Sequence, residues 1–174
     1  AEPKRVGGMP LTLAYCWAHS RRKLHDIYQK DGSEIAAEGL RRIAQIYKIE
    51  ASVRGRSPEE RLAARQAQSA PRIADFRLWL TQQRSRISAK SRLGEKLGYI
   101  HRHWDGLQIF LTDGRIEMDT NPVENTIRPI TLNRKNALFA GHDEGGRTWA
   151  RMASLIETCK LNAVDPYAYL RETL

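Results

Sequence analysis

The sequence predicts a mainly helical protein with a few short strands. Three observations carry that expectation. Between about residues 33 and 107, apolar side chains recur at steps of three and four, the spacing of one buried helix face. Helix start signals stand at Ser33, at Ser57-Pro58-Glu59-Glu60 and at Asn121-Pro122. Around Phe110 the long stripes give way to short apolar runs and an Asp-Gly turn, where short strands are expected.

In chain order, Leu11 to Cys16 follows Pro10 and reads as a short strand. A helix is expected from Trp17 to about Lys30, ended by Asp31-Gly32. Ser33 caps the next helix, whose face is Ala36, Leu40, Ile43 and Tyr47, and Gly55 breaks the chain after it. Ser57 supplies a cap, Pro58 the first helical position, and Glu59 and Glu60 the acids favoured at a helix start. Pro71 restarts or kinks the chain, and Ile73, Phe76, Leu80 and Ile87 mark a further apolar face with Trp79 beside it. Leu93, Leu97, Ile100, Trp104 and Leu107 form the cleanest stripe. Asp113-Gly114 predicts a tight turn or small hairpin, with strands near 110–118 and 136–140. Asn121 caps a helix with Glu124 in its first turn. Gly145-Gly146 reads as loop before a helix from about Arg147 to Leu161, and Asp165-Pro166 starts a last short helix.

At 174 residues the chain can bury a core without disulfides or metals. No apolar run reaches the roughly 20 residues of a membrane helix, so no membrane partner is expected. The N-terminal residues lack the apolar stretch of a signal peptide. Cys16 and Cys159, far apart, indicate no disulfide framework and point to a reducing cytoplasm. The net charge is +9, which favours a polyanionic partner. Residues 1–30 carry six Lys/Arg against two acids, residues 31–118 sixteen against eleven, and residues 119–174 seven against seven. The positive surplus therefore lies before residue 119.

Three groups of residues suggest chemistry. Asp119 and Glu124 flank the start of a helix, which fixes carboxylates as a divalent cation requires. The same Asn-x-x-Glu spacing is also a capping box, and the spacing by itself favours that plainer reading. Cys16-x-x-His19 matches half of a zinc site, but no second pair has suitable spacing, which leaves a buried structural role for Cys16 and Trp17. Arg21-Arg22-Lys23 is either a solvated face or a phosphate-contacting edge, and Arg134-Lys135 carries the same two readings. No Ser/His/Asp triad, phosphate-binding Walker loop or dinucleotide fingerprint is present.

The blocks CWAHSRRK, GRIEMDTNPVENTIRPITLNRKNALFAG and SLIETCKLNAVDPYAYLRETL occur in that order. Together they resemble the C-terminal half of insertion sequence 66 family transposases, from about Tyr15 to Leu174. The resemblance implies part of a DNA transposase that cuts and joins strands at transposon ends. It implies a ribonuclease-H-like α/β core, whose C-terminal part would be residues 110–174 with a strand and basic helix in 1–30. The helical stretch, 31–109, would be an insertion in that core.

Asp119, Asn121, Glu124 and Arg128-Pro129 match the family motif, which makes Glu124 the third acid of a catalytic triad and a metal ligand. Cys16 and His19 match a Cys-x-x-His signature. Mg²⁺ or Mn²⁺ is the cofactor expected of the complete enzyme, with none expected in this chain alone. DNA is the expected partner, together with other protomers or accessory proteins of the element. Two positions depart from the pattern: Thr120 stands where Asn is usual, and Asn125 where a basic residue is common. The family's two Asp residues are expected before Cys16, where only Glu2 is acidic. The chain is therefore expected to be a fragment or truncated copy, inactive alone. The alternative is a non-catalytic basic module for DNA binding or assembly.

Overall fold

A computed structural model describes residues 12–133 and 141–173. The predicted strand near 136–140, with Arg134 and Lys135, lies outside the described residues. The chain divides into two compact units, residues 1–120 and residues 121–174.

The first unit is helical. Helix α1 (Trp17–Asp31) ends where Gly32 takes the left-handed conformation and donates its N–H to the Tyr28 carbonyl, an end glycine adopts without a Cβ penalty. Helix α2 (Glu34–Ser52) starts under the Ser33 hydroxyl, which accepts from the Ala36 N–H. Helix α3 (Pro58–Ala64) carries a complete capping box: Ser57 accepts from the Glu60 N–H, and the Glu60 carboxylate accepts from the Ser57 N–H.

The helix then widens into a π segment, Arg65–Ser69, before α4 (Ala70–Arg86). Pro71, in the first turn of α4, has no N–H to give and a ring that crowds the preceding turn. Helix α5 (Arg92–Arg102) is capped by Ser91, and α6 (Trp104–Leu107) and a 3₁₀ turn (Ile109–Leu111) follow.

The core of this unit is the expected stripes turned toward one another. Trp17 is fully buried. Its ring meets Phe76 edge-on at 5.4 Å and Trp104 edge-on at 6.2 Å, while Phe76 and Trp104 stack at 6.0 Å. Leu24, Ile43, Ile46, Leu80, Leu97 and Ile100 close around them. Trp79 lies inside this core rather than beside it.

The expected ribonuclease-H-like α/β core with short strands is not what the structure has: no strand occurs among the described residues. The reason is where the backbone polar groups go. Residues 12–16 are extended, yet Tyr15 donates its N–H at 2.9 Å to the carbonyl of Gly106, in a helix, and Trp17 donates to Met118 at 3.1 Å. Strand propensity without a neighbouring strand yields an extended segment and nothing more. Gly106 permits the approach, since a methyl there would stand 2.1 Å from the Tyr15 ring. In 110–116 the Phe110, Asp113 and Ile116 carbonyls, which a hairpin would pair, accept from the Arg65 guanidinium instead. Asp113-Gly114 does form a turn, closed by the Ile116 N–H on the Asp113 carbonyl, but no hairpin.

The second unit holds α7 (Asn121–Asn133), α8 (Asp143–Leu161) and α9 (Pro166–Thr173). Helix α8 starts four residues before the expected Arg147, so Gly145-Gly146 is helical rather than loop. His142 caps the helix, its Nδ1 accepting from the Gly145 N–H at 3.2 Å, and Asp143 and Glu144 oppose the helix dipole. Those terms outweigh the low helix propensity of two glycines. Asp165 accepts from the Tyr167 N–H at the start of α9. Cys159 is the one buried side chain among the described residues of this unit, and Val123, Ile127, Trp149 and Tyr167 are exposed.

Candidate functional site

The motif that sequence singled out straddles the end of the first unit and the start of the second. Each side is built by different forces.

On the first side, residues 112–120 run without regular structure. Three sets of bonds fasten them, and the short turns before them, to the longer helices. Arg65 is fully buried in the π segment. Its Nε and one terminal nitrogen form a two-pronged pair with Glu50 at 2.8 and 2.7 Å. The other terminal nitrogen donates to the Phe110, Asp113 and Ile116 carbonyls at 3.0, 3.1 and 2.8 Å. Arg61, one turn earlier, grips Glu117 with two bonds at 2.8 and 2.7 Å. The third set comes from the Cys-Trp-Ala-His block. The Cys16 sulfur accepts from the Thr120 N–H at 3.3 Å, and the Trp17 indole N–H donates to the Leu107 carbonyl at 2.7 Å. Gly114 allows the loop to touch α3, because a methyl there would lie 1.8 Å from the Pro58 carbonyl oxygen.

This fastening sets Asp119, half-buried, against Tyr47. The Tyr47 hydroxyl is buried and has no partner at ordinary hydrogen-bond geometry among the described residues. Burial, and then the Asp119 carboxylate beside it, nevertheless drive the phenol far above its usual range, so Tyr47 keeps its proton. Arg21 of α1 acts on the same phenol in the opposite sense.

On the second side, α7 carries Glu124 in its first turn, exposed to solvent. The helix includes Asn121, which the cap reading sets just outside it; Glu124 falls in the first turn in either register. Asn121 and Arg128 are also exposed. Pro129 lies inside α7, and near it the Thr126 and Thr131 hydroxyls donate to the Val123 and Arg128 carbonyls.

Of the other residues singled out by sequence, Cys16 and His19 come together, the Cys16 sulfur and a His19 ring nitrogen lying within 4.8 Å of each other. Cys16 is buried and His19 half-buried. Arg21, Arg22 and Lys23 do not share an edge, since successive helical residues point about 100° apart. Arg22 is exposed, and Lys23 lies over the Tyr99 ring at 4.2 Å. Sequence reasoning missed Arg65, Arg61, Glu50 and Tyr47. Their partners lie 11 to 56 residues away for the two arginines, so no local pattern marks them.

With this geometry in place, comparison with known proteins gives the class. Residues 4–148 match the transposase IS66 family, and residues 154–174 match the IS66 C-terminal element. The chain belongs to the IS66 transposase family. It is similar to three proteins of Sinorhizobium fredii, each named only as an uncharacterized protein. The chain is 44% identical to y4jD over 165 residues, 95% of this chain and 32% of that protein. It is 42% identical to y4qI over 100% of this chain and 32% of that protein. It is 38% identical to y4hP over 95% of this chain and 32% of that protein. The chain thus spans about a third of the length of these relatives. No solved structure matches it. No helix among the described residues is long and apolar enough to cross a membrane.

Proposed function

We propose that these residues are part of a transposase that cuts and joins DNA strands at transposon ends by metal-assisted phosphoryl transfer, with Glu124 as a metal ligand. The observation that carries this reading is the family match spanning the Asp119–Arg128 motif, with Glu124 exposed in the first turn of a helix. A carboxylate in that turn is held at a fixed position, and its oxygens are the hard donors that Mg²⁺ or Mn²⁺ prefers. Two such ions, when bound, would supply the charge that stabilises the attacking and leaving oxygens of an in-line displacement at phosphorus.

The residues of this chain have simpler tasks. Glu124 supplies one carboxylate. The buried Arg65 and Trp17 fix the loop that leads to it, and Asp119 ends that loop. Arg21, Arg22 and Lys23 at the start of the first unit contact DNA phosphates. One carboxylate cannot hold two ions, so the 174 residues by themselves bind DNA without cutting it.

A second reading, a non-catalytic DNA-binding or assembly module, is favoured by the charge, since the whole surplus lies before residue 119. The two readings separate in a full-length family transposase carrying this segment. Glu124→Gln is expected to abolish Mg²⁺-dependent cleavage of transposon-end DNA and to leave salt-dependent DNA binding intact. Unimpaired cleavage by that variant overturns the catalytic reading in favour of the second.

A further inference from the structure

The first unit contains a pocket that the motif does not use. It has a volume of about 440 Å³ and lies among Lys23 of α1, Arg84 near the end of α4, and Lys96 and Arg102 of α5. That is many times the ~30 Å³ share of one water.

Four cations and one acid, Glu95, line it. None of the four cations is in an ion pair among the described residues. The nearby Asp31 is already held by Arg92 at 3.0 Å. Like charges gathered without partners repel one another, and an exposed surface normally spreads them. The repulsion is felt next door. Burial first, and then Arg84, Arg77 and Arg102, hold His101 below its ordinary value.

The pocket is also pre-shaped. Lys23 rests on the Tyr99 ring at 4.2 Å, so its ammonium is placed before any ligand arrives. Lys23 and Lys96 are half-buried, while Arg84 and Arg102 are exposed and complete the lining. Gly98 leaves room for the arginine: a methyl there would stand 3.4 Å from an Arg102 terminal nitrogen. The first turn of α5 also lines the space through Gly94 and Glu95, and a helix start adds partial positive charge.

We propose that the pocket formed by Lys23, Arg84, Lys96 and Arg102 binds a backbone phosphate of duplex DNA and anchors the first unit on the strand. The choice of a polymer phosphate over a free one follows from the spread of the four cations over three helices, which suits a chain passing over the mouth. The inference rests on the reading of these residues as DNA-handling, and its test separates the two.

The 174-residue chain is titrated with a short labelled duplex between about 50 and 200 mM salt, where phosphate contacts dominate affinity. Lys96→Gln/Arg102→Gln is expected to weaken binding about tenfold and to reduce the salt slope by about one phosphate contact. It should do so equally on two unrelated duplex sequences. Lys96→Arg/Arg102→Lys keeps the charge and should bind within about twofold of wild type. Arg54→Gln/Arg56→Gln removes the same charge from an exposed turn elsewhere and should change affinity less than about threefold. Arg84→Gln, at the surface, is the second variant should the double substitution impair folding.

Equal losses in the pocket and control variants overturn the proposal while leaving DNA binding standing. A wild-type chain with no salt-dependent duplex binding overturns both. In amide spectra, Gly94 and Gly98 should shift with duplex. If inorganic phosphate at constant ionic strength shifts them and duplex does not, the site takes a free phosphate and the proposal fails.

Discussion

Replacing Arg65 with Met should strongly destabilise the first unit. The methionine stem fills much the same space, so the loss is electrostatic and hydrogen-bonding rather than a cavity. Five bonds disappear together: two to Glu50 and one each to the Phe110, Asp113 and Ile116 carbonyls. Glu50, whose side chain is only 12% exposed, keeps Arg61 at 3.8 Å as its remaining cation. Removing one partner of a buried pair costs about 3–5 kcal/mol, and the residual contact with Arg61 argues for about 3–4 kcal/mol here. The stranded carbonyls fall within that figure, since these energies do not add.

The assay is urea unfolding by tryptophan fluorescence in a Trp149→Phe background, so that Trp17, Trp79 and Trp104 report on the first unit alone. Glu50→Met/Arg65→Met should recover part of the loss, because the unpaired carboxylate goes with its partner. Hydrogen exchange should quicken first at residues 110–120. A loss below about 1 kcal/mol, or unchanged exchange there, refutes the claim that Arg65 holds this loop.

Two further outcomes follow from the same contacts. Gly114→Ala forces a methyl to 1.8 Å from the Pro58 carbonyl oxygen and should cost about 1–3 kcal/mol in the same unfolding assay. His101 is held below its ordinary value, so the unfolded chain takes up its proton first as pH falls. Stability should therefore be level above about pH 6.5, decline as pH drops below it, and level again beneath the folded value. His101→Gln should remove that component. Duplex phosphate beside Arg84 and Arg102 should raise the His101 titration followed by NMR, and no shift on DNA addition would count against the phosphate pocket.

Some site features were legible because they are local. Glu124 stands in the first turn of its helix because Asn121-Pro122 starts one, an instruction written within four residues. The family blocks identified the motif because they preserve order along the chain. Neither signal shows what holds the motif's approach in place. Arg61 and Arg65 lie in an ordinary charged helix sequence, and only folding brings them to Glu117 and the 110–116 carbonyls. The basic pocket was unreadable for the same reason, since Lys23 and Arg102 lie far apart in the chain. Arg21-Arg22-Lys23 looked like one edge because adjacency in sequence is not adjacency on a helix.

The sequence by itself determined the helices of the first unit. Caps at Ser33 and Ser57, the stop at Gly32 and the apolar stripes are decided by neighbours three and four residues away, and the structure keeps them all. Tertiary structure decided the rest. Residues 12–16 and 110–116 have the composition of strands, but a strand exists only where another strand accepts its hydrogen bonds. Here a helix carbonyl and a buried guanidinium take those bonds, and the segments remain extended or turned beside a helical core.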